Sequence, residues 1–516
     1  MKKIFITIFL LMLVPVYAGA AGNADNGRKV YDKRCWWCHG EDGAGEGPAA
    51  EYLVPPPRDF TSVMFKFKTT PFDEVMPSDD DLFGMVKGKG DDKGGTVHNS
   101  IRNWRGMNDS SMPGWDDMLS DEEIWDVIAY IKGLAELEPP ELGQLDFSSQ
   151  VASSEDSIAK GKEIFKDNCT ECHGQLGKGD GTKKLKDDAG YRTWPRNFTK
   201  AWSFRVNNDP RNIYARASIG IPGTQMPSFA DPESKKKLSD EERWHVANYV
   251  ASLDEPYKKP GNNTVIKAVR VEGDVPETSD NEAWAGAAFT SFYMVPQIIA
   301  EERLFTPSIN SVSVKAVYND NDIALLIEWD DRTKSLPGDE KAKEIADGDP
   351  LKDAFAVQLP VTLAPAGETE KPYFGMGSAS KPVNIWHWIG ESTTDPQALH
   401  LLEGKGFKDF APRDAEPSGL KAQGVYDNGT WRVVMKRKLK TGVEQDLQFE
   451  EGKFIPISFA AWDGSNFDEG SKHVMTAWYW LLMEPKTGSG VVVWPLAIAL
   501  LVFGGELLWL RSARKR

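Results

Sequence analysis

The sequence predicts a multidomain protein: two all-α domains, then one mostly-β sandwich domain, then one C-terminal transmembrane helix. Three observations predict it. A Cys-x-x-Cys-His pentapeptide occurs twice, each time followed by glycine-rich loops and a capped helix with an aromatic face. Beyond residue 263 this pattern gives way to short alternating runs separated by turn residues. Residues 491–510 are mostly apolar and precede Arg511, Arg514, Lys515 and Arg516.

The chain opens on Met1-Lys2-Lys3, an apolar stretch from Ile4 to Tyr17, and Ala18-Gly19-Ala20. These are the charged, apolar and small-residue regions of a secretory signal, so residues 1–20 read as a signal peptide and the mature chain as starting near Ala21. The apolar run is short for a membrane span.

The two pentapeptides, Cys35-Trp36-Trp37-Cys38-His39 and Cys169-Thr170-Glu171-Cys172-His173, use all four cysteines of the 516-residue chain. Two thiols one helical turn apart can add across the vinyl groups of a haem, and the adjacent histidine can reach the iron. This is the c-type haem attachment signature. A zinc site would need a second ligand pair close to the first, whereas these pairs lie 134 residues apart in sequence. Haem attachment of this kind takes place outside the cytoplasm in bacteria, in agreement with the signal peptide.

Aligned on these motifs, the chain shows an internal repeat. Gly27 to Tyr31 answers Gly161 to Phe165, Arg58-Asp59-Phe60 answers Arg196-Asn197-Phe198, and Met112-Pro113 answers Met226-Pro227. Each copy closes on Leu-Ser-Asp-Glu-Glu, at Leu119 and Leu238, where serine with glutamate three residues later predicts a capping box and a helix start. Both copies resemble class I cytochrome c, over residues 23–137 and 155–255. The resemblance implies His39 and His173 as proximal ligands of two covalently attached haem c groups, with Met112 and Met226 opposite them. Methionine opposite histidine completes a low-spin iron and raises its potential. Met226 is the only methionine of its copy; the first copy also offers Met64, Met76, Met85, Met107, Met118 and His98, and Met112 is chosen for its place before the capped final helix. The histidine-to-methionine interval is 73 residues in the first copy and 53 in the second, which predicts an inserted surface loop around residues 79–99.

Residues 138–154 and 254–263, rich in proline, serine and acids, read as linkers. In 264–486, Val312 to Tyr318 and Ile323 to Trp329 flank a polar Asn-Asp-Asn-Asp and predict a hairpin; Gly424 to Tyr426 and Trp431 to Met435 flank Asp427-Asn428-Gly429 and predict another. Strand-like runs also lie at Ala354 to Leu359 and Phe454 to Trp462. The strings Pro372 to Gly377, Pro382 to Trp388, and Trp462-Asp463-Gly464-Ser465 leading to Lys472 resemble the haem-b-binding gamma subunits of the ethylbenzene dehydrogenase, dimethylsulfide dehydrogenase, chlorate reductase and selenate reductase group, with similar subunits in nitrite oxidoreductases. The resemblance implies one noncovalent haem b between Met376 and Lys472, the lysine ligating as a neutral amine. His387 and His473 are competing ligands. The typical gamma subunit is the β domain alone and lacks the fused cytochromes.

Residues 491–510 are long enough for a membrane span, with the basic cluster on the cytoplasmic side; Glu506 interrupts the run. The expected location is the periplasmic face, held by this single C-terminal anchor. The 77 acidic side chains exceed the 61 basic ones, for a formal charge of −16, which excludes nucleic acid as a natural partner. The expected role is an electron-transfer subunit, itself no enzyme, with two haem c and one haem b. Its expected partners are a molybdenum catalytic subunit, an iron–sulfur subunit and other respiratory electron carriers. Nitrite oxidoreductase or nitrate reductase is the favoured complex, by analogy. A multihaem peroxidase would need an open iron position, and a β domain binding carbohydrate or protein would hold no haem b.

Overall fold

The computed structural model describes residues 22–514, except 54–55, 63, 89–111, 135–142, 189, 191, 206–207, 262–263, 337, 347, 366–369, 391–398 and 486–489. The signal peptide therefore lies outside the described residues. The first repeat contributes helices α1 (Ala24–Arg34), α2 (Trp36–His39), α3 (Asp79–Lys87) and α4 (Asp121–Leu134); the second contributes α5 (Glu155–Asn168), α6 (Thr170–His173), α7 (Pro210–Ile219) and α8 (Asp240–Ser252). The chain divides into two compact units: Met1–Asn168, Leu185–Thr193 and Ala201–Leu253 form one, and Cys169–Lys184, Trp194–Lys200 and Asp254–Arg516 the other. The second repeat is thus shared out, its long helices in the first unit and its Cys-x-x-Cys-His segment in the second.

In the first unit the repeated glycines explain themselves. A Cβ at Gly27 would fall on the Asp126 carbonyl of α4, and one at Gly161 on the His245 carbonyl of α8. Glycine lets each first helix close onto its last helix. Four residues on, Tyr31 meets Tyr130 and Phe165 meets Tyr249, with ring centroids 5.2 and 5.3 Å apart. Both expected capping boxes form: Ser120 and Ser239 each accept the N–H three residues on and donate their own N–H to Glu123 and Glu242, at 2.8 Å.

Residues 79–87 are helix α3 and not the expected surface loop. Ser78 caps it in a capping box with Asp81, three aspartates crowd its positive end, and Leu82 and Val86 are buried. Glycine and acidic residues gave this stretch a loop-like composition, and burial of one face overrode it. The expected first linker is also tied down. Leu145 N–H donates to Thr69 O at 2.8 Å, and Phe147 packs edge-on to Tyr214 and Trp244 beneath the Arg211 guanidinium.

The second unit is built on strands β1 (Val265–Arg270), β2 (Thr290–Tyr293), β3 (Val295–Pro296), β4 (Ser311–Tyr318), β5 (Asp322–Asp330), β6 (Ala354–Pro360), β7 (Val383–Ile389), β8 (Leu399–Gly404), β9 (Phe410–Arg413), β10 (Lys421–Asp427), β11 (Thr430–Lys438), β12 (Phe454–Trp462), β13 (Val474–Met475) and β14 (Tyr479–Met483), with helix α9 (Glu340–Ala346) between β5 and β6. Both predicted hairpins form, β4–β5 and β10–β11, the second closed by Asn428 and Gly429 with φ of 46° and 74°. This is the left-handed pair that a two-residue hairpin turn requires. The strand order is β10-β11-β5-β4-β1-β14-β12-β6-β7-β8-β9. β12 turns the corner: Phe454 to Ile457 pair with β14, and Ser458 to Trp462 with β6. The two halves of the sheet sandwich a core containing Trp329, Trp431, Phe355, Trp386 and Phe459.

The expectation of a C-terminal transmembrane helix is corrected. The segment is helical, α10 (Gly490–Ala513), with Pro495 inside it. Among the described residues, however, no helix is long and apolar enough to cross a membrane. A span needs about 20 predominantly apolar residues, and here Glu506 interrupts the apolar run and Arg511 closes it.

Candidate functional site

In the first unit, α1 delivers Cys35 at its C-cap, and one further turn carries Cys38 and His39. None of the four cysteines of the chain is in a disulfide. Burial, and then the neighbouring Cys38, push the Cys35 thiol up to about 12, and burial raises Cys38. These surroundings suit an uncharged sulfur, as in a thioether, better than the thiolate pair of a zinc site. His39 is buried; its Nδ1 lies 3.0 Å from Arg58 O and its ring stacks on Phe60 at 4.5 Å and 16°. With Nδ1–H donating to a carbonyl, the tautomer and ring plane are set and Nε2 is the ligating nitrogen.

The second loop repeats this arrangement within the second unit. His173 hydrogen-bonds to the Arg196 backbone and stacks on Phe198 at 4.4 Å and 24°. Burial brings its pKa down to about 4, against the pull of that hydrogen bond and helped by the Arg332 charge, so the ring is neutral as a ligand must be. The sequence repeat Arg-Asx-Phe therefore has a function of its own, as acceptor and stacking ring for the histidine. The loop is also fastened to the β domain: Arg332 donates to Gly179 O and Gly181 O at 3.0 Å and lies 4.7 Å from the Trp194 ring.

The two Met-Pro loops share a second pattern. Met112 and Met226 are half-buried. Gly88 caps α3 at φ 85° and faces Gly114, while Trp115 N–H reaches Lys87 O at 3.0 Å. Gly220 caps α7 at φ 75°, and a Cβ there would meet Met226 O at 2.6 Å. Each methionine loop is thus seated on the C-terminus of the preceding helix, which makes α3 the counterpart of α7. The extra length of the first repeat then lies after Gly88, since Met112 follows it by 24 residues and Met226 follows Gly220 by 6. Among the competing ligands, His98 and Met107 lie outside the described residues.

Met376 packs on one face of the second unit. Its floor is Ala356 of β6, Val383 and Ile385 of β7, Leu402 of β8 and Ala460 of β12, with Met376, Trp462 and Trp478 packed on it. Ala356 and Ala460 pair across β6 and β12, which keeps the middle of the face low. Met376 has φ 65°, unusual for a side chain with a Cβ, followed by Gly377 at 75°. Trp478 Nε1 ties the methionine loop down by donating to Pro372 O at 2.8 Å. At the other end, Trp462 lies between His387 at 5.2 Å and His473 at 4.8 Å. Lys472 Nζ donates to Phe467 O at 3.0 Å. Burial, then His400 and His473, bring His387 down to about 4; burial lowers His473. An apolar floor with the Met376 sulfur at one end and the His387 and His473 imidazoles at the other suits a noncovalent porphyrin. Sequence reading missed Arg332, whose only signal was its place at the end of a predicted strand, and His400, which faces His387 across β7 and β8.

Comparison with known proteins assigns both halves. The cytochrome c family matches residues 24–135 and 158–254, and the ethylbenzene dehydrogenase family residues 281–401 and 392–474. A protein of Haloferax mediterranei named as a respiratory nitrate reductase haem subunit is 25% identical over 260 residues, 50% of this chain and 87% of its own. The chlorate reductase subunit gamma of Ideonella dechloratans is 26% identical over 224 residues, 43% of this chain and 86% of its own. A chain of the Kuenenia stuttgartiensis reducing HAO-like protein complex is 32% identical, covering 46% of this chain and 98% of that one, with a TM-score of 0.38.

Proposed function

We propose that this chain, which carries two cytochrome c domains and a domain of the ethylbenzene dehydrogenase family, is an electron-transfer subunit of a molybdoenzyme complex outside the cytoplasm, of nitrate reductase or nitrite oxidoreductase type. The observation that carries this reading is the duplicated histidine setting, a hydrogen bond to the arginine backbone of the Arg-Asx-Phe segment and a phenylalanine against the ring, joined in one polypeptide to a gamma-subunit-like domain. The two relatives named for nitrate and chlorate reductases support it.

Each haem supplies a carrier for one electron. Cys35, Cys38, Cys169 and Cys172 would bind two haem c covalently, with His39 and Met112, and His173 and Met226, as axial ligands. Met376 and Lys472 would hold a haem b. Histidine and methionine as the two protein ligands of each haem c would leave the iron closed to substrate, which favours a carrier over a peroxidase. The stacking rings, Phe60 buried and Phe198 half-buried, would hold the imidazoles still between redox states, which keeps reorganisation small.

Pyridine haemochrome analysis of the purified chain tests this: two haem c and one haem b are expected. Two haem c alone would make the β domain a binding module for something else. A five-coordinate high-spin haem c with peroxide turnover would make the protein an enzyme. Met226→Ala is expected to keep its haem attached and lower its potential, and Lys472→Ala to change only the b-type spectrum. Molybdenum co-purifying with the native complex checks the partner.

A further inference from the structure

Three buried carboxylates meet at one point of the second unit, away from the face that carries Met376. Asp331 follows β5, Asp353 precedes β6 and Asp463 follows β12, and one oxygen from each lies within 4.8 Å of the others. Asp353 is hydrogen-bonded on both oxygens, by Ser335 N–H and Trp431 Nε1 on one and Gly464 N–H on the other. Asp463 Oδ1 accepts from Ser465 N–H, Ser465 O–H and Asn466 N–H. Its Oδ2 is different: the residue is 0% exposed, and this oxygen receives no hydrogen bond. Asp331, 4% exposed, accepts Thr333 N–H on Oδ1, and its Oδ2 has no hydrogen bond of good geometry, with the Trp329 indole beside the carboxylate. Arg332 is the neighbouring cation; Asp180 and Asp468 add further negative charge. One guanidinium, already donating to Gly179 O and Gly181 O, faces three carboxylates.

We propose that Asp331, Asp353 and Asp463 bind a structural calcium ion. The donors are all hard oxygens, which select calcium or magnesium over zinc, copper or iron. Calcium accepts irregular sets of carboxylate and backbone oxygens, whereas magnesium demands a near-ideal octahedron and keeps several waters, which a site closed to water does not offer. The ion supplies what Asp463 Oδ2 lacks, a partner in direct contact, in a place closed to water. Without it, like charges crowded in a dry site are relieved by proton uptake. The ion would fasten three segments together: the end of β5 with Arg332 and its grip on the second haem loop, the start of β6, and the loop after β12 that leads to Lys472.

The test uses the full haem-loaded chain. Elemental analysis is expected to find one calcium per chain besides the haem iron. Stripping with EGTA is expected to lower Tm, and calcium restored to about 100 times its dissociation constant to raise it by roughly 5–10 °C. Asp463→Asn is expected to abolish both the bound calcium and the response to EGTA, with haem content unchanged. The proposal is overturned if the chain binds magnesium only or no divalent ion, or if its melting ignores EGTA and calcium. It is equally overturned if Asp463→Asn melts at or above the unaltered chain, the behaviour of a proton-sharing cluster relieved of a charge. Should that variant not fold, calcium content and chelator-dependent melting of the unaltered chain decide.

Discussion

Asp59 and Asn197 stand at the same place in the two haem loops, between the arginine whose carbonyl holds the histidine and the phenylalanine that stacks on it. Asp59 folds its loop back on itself, its Oδ1 accepting Thr61 N–H at 2.8 Å and Thr61 O–H at 2.6 Å. Asn197 makes the same turn with Thr199 at 2.9 and 2.8 Å, and then uses its amide N–H, which an aspartate lacks, to reach Asp330 Oδ2 at 2.6 Å. Lys200 pairs with the same carboxylate at 2.5 Å and donates to Ser311 Oγ at 2.9 Å. Burial would raise the Asp330 pKa; Lys200 and Asn197 more than offset it, so the group stays ionised. One amide in place of a carboxylate gives the second loop a tie to the β domain that an aspartate, with no N–H, cannot make. The ligand setting is duplicated, and this tie is not.

The strongest way to break this contrast is Arg332→Ala. It removes a buried cation and leaves the Gly179 and Gly181 carbonyls without their donor, at an expected cost of about 3–5 kcal/mol in the second unit. In potentiometry it should disturb the second haem c and leave the first alone. A loss below about 1 kcal/mol in urea denaturation would mean that the second loop does not depend on Arg332. Next comes the exchange of the two Asx residues. Asn197→Asp sets a carboxylate against Asp330 and should cost about 2–3 kcal/mol, mostly relieved in the double variant with Asp330→Asn. Asp59→Asn keeps the turn and should cost less than about 0.5 kcal/mol. Equal effects at the two positions would erase the distinction. The smallest expected effects sharpen the shared part: Phe60→Leu and Phe198→Leu keep an apolar side chain but lose the ring, for about 1 kcal/mol each. Both should shift the axial-ligand resonances of their own haem in NMR, and a variant that left them unmoved would make the stacking incidental.

Legibility followed distance along the chain. Cysteine pair, histidine, acceptor carbonyl and stacking ring of each haem loop fall within 30 residues, and the histidine's neighbours follow from one turn of helix and one loop. The cysteine pairs and histidines could be read because a local backbone geometry fixes their spacing; duplication marked Arg-Asx-Phe as a repeat, and its part beside the histidine came from the structure. The capping boxes at Ser120 and Ser239 and the turn at Asn428-Gly429 were legible for the same reason. Helix α3 was not, because its composition resembles a loop and only burial of Leu82 and Val86 against the rest of the first unit decides otherwise. The C-terminal expectation rested on apolar length and did not stand.

The sequence by itself determined where haem can be attached, which histidine stands beside each cysteine pair, and which family each half belongs to. Tertiary structure alone decided that the second haem loop is gripped by Arg332, that Met376 packs on one sheet face, and that Asp331, Asp353 and Asp463 converge. Those residues sit at the ends of strands or in the loops beyond them. Strand register and the corner turned by β12 bring them together, and neither is written in the spacing of any one segment.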